Sequence, residues 1–155
     1  PAAVLAQDCP WLGKDVAAQV ILAAPAESRV ESNPVFANSR GLAASTTCRF
    51  KEAGELVGQL SVVVMEFTSY DTATAAYQKE LKGQGSRAKP SKIGADPAFL
   101  THNPGFSAAS YAVKGKRVVF VNHAFGRRVK EAMAKDPDGA VLSTHEVARR
   151  VLDRL

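Results

Sequence analysis

Two cysteines are the residues of this 155-residue sequence with the most specific chemistry. Cys9 and Cys48 can form a single disulfide, or they can remain two buried, reduced thiols. A bridge would close a loop of about 40 residues and stabilise the fold by about 4 kcal/mol on the chain-entropy model. We predict that the two cysteines pair. Because disulfides persist mainly outside the cytosol, this pairing predicts an exported protein, either periplasmic or secreted.

Three histidines are the next candidates for chemistry. His102, His123 and His145 each stand alone in a separate segment. No two of them have the spacing of three or four residues that places a pair of metal ligands on one helix face. Neither cysteine has a second one at the short spacing of structural zinc sites. Surface or capping roles are therefore favoured for the histidines, and we expect no metal and no cofactor.

Enzymatic motifs are not evident in the sequence. A catalytic nucleophile needs a nearby base that a third group orients, and the chain contains no Gly-x-Ser-x-Gly elbow. The carboxylates of Asp136 and Asp138 flank Pro137, where turn chemistry explains them. We predict that the protein is not an enzyme. A small hydrolase stays open as an alternative, because residues distant in sequence can converge in the fold.

The positive charge lies in the C-terminal third. Residues 1–113 contain ten Lys or Arg and ten Asp or Glu, whereas residues 114–155 contain ten and five, which accounts for the net charge of +5. A basic face attracts acidic partners through long-range electrostatics. Nucleic acid is disfavoured because aromatic side chains are not interleaved with the basic ones. The candidate partner-binding residues are Arg127, Arg128, Arg149 and Arg150 of this third, together with Arg87, Lys89 and Lys92 of the basic segment 83–92. The alternative is a solvated surface with no partner.

The elements that must position these residues follow from hydrophobic periodicity. Helices are predicted over 10–22, from Ser69 to Gly83, over 127–135, and from a capping box at 143–146 to the end of the chain. Strands are predicted over 48–51, 56–67, 93–100, 107–113 and 117–124. Residues 23–46 are interpreted as a long loop crossed by a short strand near Arg29 to Val30. Residues 83–92 are interpreted as a mobile basic loop.

These elements indicate one α+β domain over residues 8–155. We expect a mainly antiparallel sheet of about five or six strands, with helices packed on one face. Residues 1–7 are interpreted as a flexible leader or the remnant of a signal peptide. No apolar run approaches the length of about 20 residues that a membrane-spanning helix requires.

The segments around the two cysteines carry a resemblance. Cys9-Pro10-Trp11-Leu12, Thr47-Cys48-Arg49-Phe50 and the strand after them resemble a pattern in small exported bacterial proteins of uncharacterised function, many of them lipoproteins. This chain departs from lipoproteins in having Asp8 before Cys9, where lipoproteins carry a small residue. The resemblance implies an α+β sandwich with an antiparallel sheet and helices packed on it, and it carries no active site over to this chain.

The predicted function is that of a non-catalytic exported binding protein, whose ligand is another protein or a small molecule. The alternative is an inhibitor or immunity-type protein that acts on an envelope enzyme through the basic residues named above. The oligomeric state does not follow from the sequence.

Overall fold

One antiparallel sheet organises the fold. The structure is a computed structural model that describes residues 8–33, 41–52 and 58–155. The strands within these residues are β1 (Pro25–Asn33), β2 (Leu42–Glu52), β3 (Gln59–Phe67), β4 (Lys89–Ile93), β5 (Asp96–Asn103), β6 (Ser107–Lys114) and β7 (Arg117–Ala124). Their spatial order is β1-β2-β3-β7-β6-β5-β4, and all neighbours are antiparallel. The predicted α+β class and antiparallel sheet are confirmed, and β4 is the strand that the sequence did not predict.

Helices cover both faces of this sheet. They are α1 (Lys14–Ile21), α2 (Tyr70–Gln84), α3 (Arg127–Met133) and α4 (Gly139–Asp153). On one face, here called the α4 face, α1 and α4 pack on the sheet, and α3 packs against α4. On the opposite face, the α2 face, α2 packs alone among the described helices. The sequence predicted all helices on one face. The difference arises because β3 and β7 carry apolar side chains on both faces, and both faces therefore need cover.

The α4 face contains the larger core. Leu60, Val62, Val121 and Val151 are fully buried there, and apolar side chains of α1 join them. The α2 face contains a smaller core in which Tyr77 of α2 packs near aromatic side chains of the sheet. Burial of this apolar area is the main contribution to folding.

A disulfide joins Cys9 to Cys48, as predicted. Their Cα atoms lie 5.7 Å apart, and 39 positions separate them in sequence. The bond fastens the segment before α1 to the middle of β2, next to the core of the α4 face. The N-terminal helix is therefore covalently tied to the sheet on which it packs.

Two predicted loops are regular structure. Residues 83–92 comprise the end of α2, a short 3-10 turn at Gly85–Arg87 and β4. Residues 23–46 contain β1 and the beginning of β2, whereas residues 34–40 lie outside the described residues. In both segments, backbone pairing with a neighbouring strand supplies the order that hydrophobic periodicity did not indicate. The predicted leader at 1–7 also lies outside the described residues.

The two predicted helix starts have different outcomes. Ser69 caps α2 as expected: its hydroxyl accepts a hydrogen bond from the Thr72 amide at 3.1 Å, and the Thr72 hydroxyl accepts one from the Ser69 amide at 3.2 Å. The predicted start of the last helix at Ser143 is wrong, since α4 begins at Gly139. The Ser143 hydroxyl instead donates to the Gly139 carbonyl at 2.8 Å, one turn earlier in the helix.

Candidate functional site

An apolar groove of about 370 Å³ lies between α1, α3 and α4, and we call it the helical groove. Its lining residues are Gln19, Val20, Leu22, Val129, Ala132, Met133, Asp136, Gly139, Ala140, Leu142 and Ser143. Small-molecule sites are mostly apolar concavities of about 300–1,000 Å³. The helical groove therefore has the size and the chemistry of a small binding site.

Local sequence explains why this groove exists. Leu22 caps α1 in the left-handed region, with φ of 58°, and its side chain is 42% exposed. Leu142 in the first turns of α4 is 63% exposed. Between them, Ala132 and Ala140 contribute small side chains that leave space between the helices. Two leucines that line one concavity therefore keep much of their apolar surface in water, which favours an apolar ligand.

A buried apolar cluster lies beneath the groove. Val129 and Ala140 line it, and they also belong to a buried cluster with Ala108 and Phe125. His123 lies beside this cluster, since it pairs with Ala108 in the β6–β7 register and its ring meets Phe125 edge-on. We expected His123 at the surface, but it is fully buried because its side chain points into the α4 face. Burial lowers the pKa of His123 to about 4, so its imidazole is neutral near pH 7.

The polar groups near the groove donate hydrogen bonds to backbone carbonyls at the start of α4 and at the end of α1. The Ser143 hydroxyl donates to the carbonyl of Gly139. The amide of Gly139 donates to the carbonyl of Asp136 at 3.2 Å. The Arg128 guanidinium donates to the Leu22 carbonyl, with 3.4 Å between Nη1 and O. The groove therefore offers apolar contact with a few polar atoms at its edges.

A second constellation brings a histidine and two serines together. His145 of α4 lies with Nδ1 3.1 Å from Ser110 Oγ and with Nε2 3.3 Å from Ser91 Oγ. Ser110 is fully buried on β6, so a substrate cannot reach it. In a nucleophile–base pair, a third group, most often a carboxylate, orients the base. Here the Ser110 hydroxyl occupies that position, and the three side chains cross-link α4 to β4 and β6.

The described residues contain no group of three or more His, Cys, Asp or Glu that could hold a metal ion. None of the helices in this part of the chain is both long and apolar enough to cross a bilayer.

Comparison with known proteins identifies a fold. No family model matches the chain, and no curated protein matches it. Among solved structures, the chain is similar to the extracellular domain of PknH from Mycobacterium tuberculosis, with a TM-score of 0.62 and 13% identity. The match covers 94% of this chain and 92% of that one. At this identity the likeness establishes the fold alone. It agrees with the predicted α+β fold, but it identifies no family.

The predicted basic residues fall into three groups on different elements. Arg87 ends the 3-10 turn, and Lys89 and Lys92 lie on β4, the strand at one edge of the sheet. Lysines and a proline, here Pro90, are the residues that commonly prevent an edge strand from pairing with another chain. Protection of the sheet edge is therefore a sufficient structural reason for these side chains.

The second group consists of Arg149 and Arg150 near the end of α4. Arg149 forms ion pairs with Glu146 and with Asp153, and Arg150 lies 3.5 Å from Glu146. The hydrogen bond from Arg149 lowers the pKa of Glu146. Both arginines line a cavity of about 250 Å³ with the half-buried Trp11. Their charge is thus largely matched within α4.

The third group, Arg127 and Arg128, lies on α3, which lines the helical groove. Arg127 pairs with Glu131 at 3.1 Å, whereas Arg128 reaches across to Leu22. The leucines of the groove, Leu22 and Leu142, were not predicted as site residues. The sequence did show that one side of α3 is apolar, but its pattern could not show that this side would stay uncovered.

Proposed function

We propose that this chain is an exported, non-catalytic binding domain, periplasmic or secreted, and that the helical groove binds an apolar group of its ligand. The main support for this proposal is the helical groove. Two half-exposed leucines, Leu22 and Leu142, line one apolar concavity, together with Met133. A ligand that covers these side chains removes apolar surface from water, at about 25 cal/mol per Å².

Export is supported by the disulfide between Cys9 and Cys48. Such bonds are maintained in the periplasm and outside the cell, and they are rare in the cytosol. The shared fold with a domain that is itself extracellular points in the same direction.

A non-catalytic role is supported by the chemistry of the groove. The Ser143 hydroxyl is engaged with the Gly139 carbonyl and not with a base. His145, which does contact serines, lies between α4 and the sheet rather than among the groove residues. Binding through apolar contact is therefore the function that this geometry supports best.

The test uses N-phenyl-1-naphthylamine, an apolar dye whose fluorescence rises on transfer from water to an apolar site. Saturable binding to the purified chain is expected. The Ala132→Phe variant fills the groove, since Ala132 lines it from α3. Its control is Ala75→Phe, which makes the same change at an exposed position of α2. Binding that A132F weakens and A75F leaves unchanged supports the proposal. Equal binding by both variants, or none by the parent chain, overturns it.

A further inference from the structure

The two edges of the sheet differ in their protection against pairing with another chain. β4 forms one edge, and its five residues include Lys89, Pro90 and Lys92. Lysine and proline are among the residues that keep an edge strand from pairing further. β1 forms the other edge, and its nine residues include no lysine and a proline only at the first position. The edge at β1 is therefore the one that lacks this protection.

The backbone of β1 is suited to a further strand. On its inner side β1 pairs with β2, and among the described residues no strand lies on its outer side. Its register with β2 is regular from Glu27 to Asn33 and shifts only between Pro25 and Glu27. Along 27–33, the backbone N–H and C=O groups that point outward can therefore form a ladder with another extended chain.

The charges of β1 restrict which registers a second copy of the same strand can adopt. Two identical antiparallel strands are related by a two-fold axis, and residues directly opposite each other share a face, so the pair is centred on one residue. A pair centred on Arg29 would place that arginine opposite itself. A pair centred on Glu31 would place that glutamate opposite itself. Like charges directly opposite each other are destabilising, so both registers are disfavoured.

A pair centred on Val30 brings opposite charges together. Arg29 then stands opposite Glu31 of the second copy, and the two-fold axis generates this pairing twice. This register uses positions 27–33, which are the regular part of β1. A pair centred on Ser28 would also match charges, Glu27 with Arg29, but it needs the residues before Glu27, where the register shifts. The register centred on Val30 is therefore the best match of β1 to itself.

Val30 itself favours this arrangement. Its side chain is half-buried and packs against the core of the α4 face. At the two-fold axis it would meet Val30 of the second copy. Cross-strand pairs of β-branched side chains stabilise a sheet, and the contact removes further apolar surface from water.

We propose that two copies of this chain associate through β1, antiparallel and centred on Val30, so that two seven-stranded sheets form one continuous sheet. Pairing of two edge strands is a small interface, and the dimer therefore belongs to the weak, transient class. The residues that line the helical groove come from outside β1. The proposal thus goes beyond the groove ligand and does not depend on it.

The test is the oligomeric state, measured by sedimentation velocity at chain concentrations up to about 1 mM, where a dimer with a dissociation constant below that value is populated. A reversible dimer is expected. Arg29→Glu should weaken it about thirtyfold, because a glutamate then stands opposite Glu31 of the second copy at two symmetric positions. R29E/E31R should restore the dimer, since the two positions again carry opposite charges. In the register centred on Ser28 it would not, because position 31 then lies opposite Pro25.

The control is Lys92→Glu, which makes the same change of charge at an exposed position of β4, on the opposite edge. K92E should leave the dimer unchanged. Thermal unfolding checks that each variant folds, and E31R, which places two arginines opposite each other, replaces R29E if that variant does not. A chain that is monomeric at about 1 mM overturns the proposal. So does a dimer that K92E weakens as much as R29E, or one that R29E/E31R fails to restore. The dye assay with A132F measures the groove, so the two proposals can fail separately.

Discussion

The imidazole of His123 meets the ring of Phe125 edge-on, with 86° between the ring planes and 5.2 Å between the centroids. Neither imidazole nitrogen has a hydrogen-bond partner among the described residues, and the side chain is fully buried. A charged imidazole would be costly in these surroundings, and burial lowers the pKa of His123 to about 4. Protonation of His123 therefore favours the unfolded chain, in which the pKa of histidine is about 6.5.

This relationship predicts how stability depends on pH. Because the folded pKa lies below the unfolded one, the contribution of neutral His123 is fully present above about pH 6.5 and is lost as pH falls towards 4. The loss amounts to about 3 kcal/mol at most, from a difference of about two and a half pKa units. Urea unfolding at a series of pH values measures it. His123→Leu should flatten the curve in this window, and an unchanged slope would contradict the prediction.

Some elements could be predicted because one local pattern determines them. The apolar, β-branched run in β3 formed a strand as predicted, and Ser69 marked the start of α2. The α4 helix starts earlier than its predicted capping box at Ser143. Its first turn is held by packing of Ala140 against Phe125 and Val129, and such tertiary contacts are not visible in the local sequence.

The candidate site was harder to predict than the fold. The helical groove combines the end of α1 with α3 and α4, which are more than a hundred positions away in sequence. Nothing in the local pattern of Leu22 distinguishes an exposed leucine from a buried one. The predicted basic residues, by contrast, could be chosen from the distribution of charge along the sequence. That distribution did not show that Arg149 forms ion pairs with Glu146 and Asp153 within α4.

The two serines at predicted helix starts should respond differently to substitution. Ser69→Ala removes the cap of α2 and should lower the free energy of unfolding by about 1 kcal/mol. Ser143→Ala should change it by less than about 0.5 kcal/mol, because Ser143 lies inside α4 and alanine is a better helix former. Chemical denaturation of both variants provides the comparison. Equal losses would indicate that α4 begins at Ser143 after all.

The disulfide should contribute a large share of the stability. Replacing Cys9 and Cys48 with alanine should lower the free energy of unfolding by about 4 kcal/mol on the chain-entropy model, given their separation of 39 positions. Urea unfolding of the oxidised chain and of C9A/C48A measures the difference. Alkylation under denaturing conditions, followed by intact mass, is the control. Two alkylations without prior reduction would show that the cysteines are free.

The contacts of His145 should stabilise the fold without supporting catalysis. Ser110→Ala leaves Nδ1 of the half-buried imidazole without its partner, and the expected loss is about 1–2 kcal/mol. Ser91→Ala should cost less, because Ser91 is half-buried on the edge strand and water can replace its hydroxyl. Chemical denaturation of the two variants tests this order.

Labelling with a fluorophosphonate probe distinguishes a structural role of these contacts from a catalytic role in a serine hydrolase. If Ser91 were a nucleophile with His145 as its base, the probe would label the folded chain, and both Ser91→Ala and His145→Gln would abolish labelling. We expect no labelling of the parent chain at neutral pH, because the Ser110 hydroxyl takes the position of the carboxylate that orients the base in serine hydrolases. Labelling at Ser91 that depends on His145 would establish an enzyme and would overturn the non-catalytic proposal.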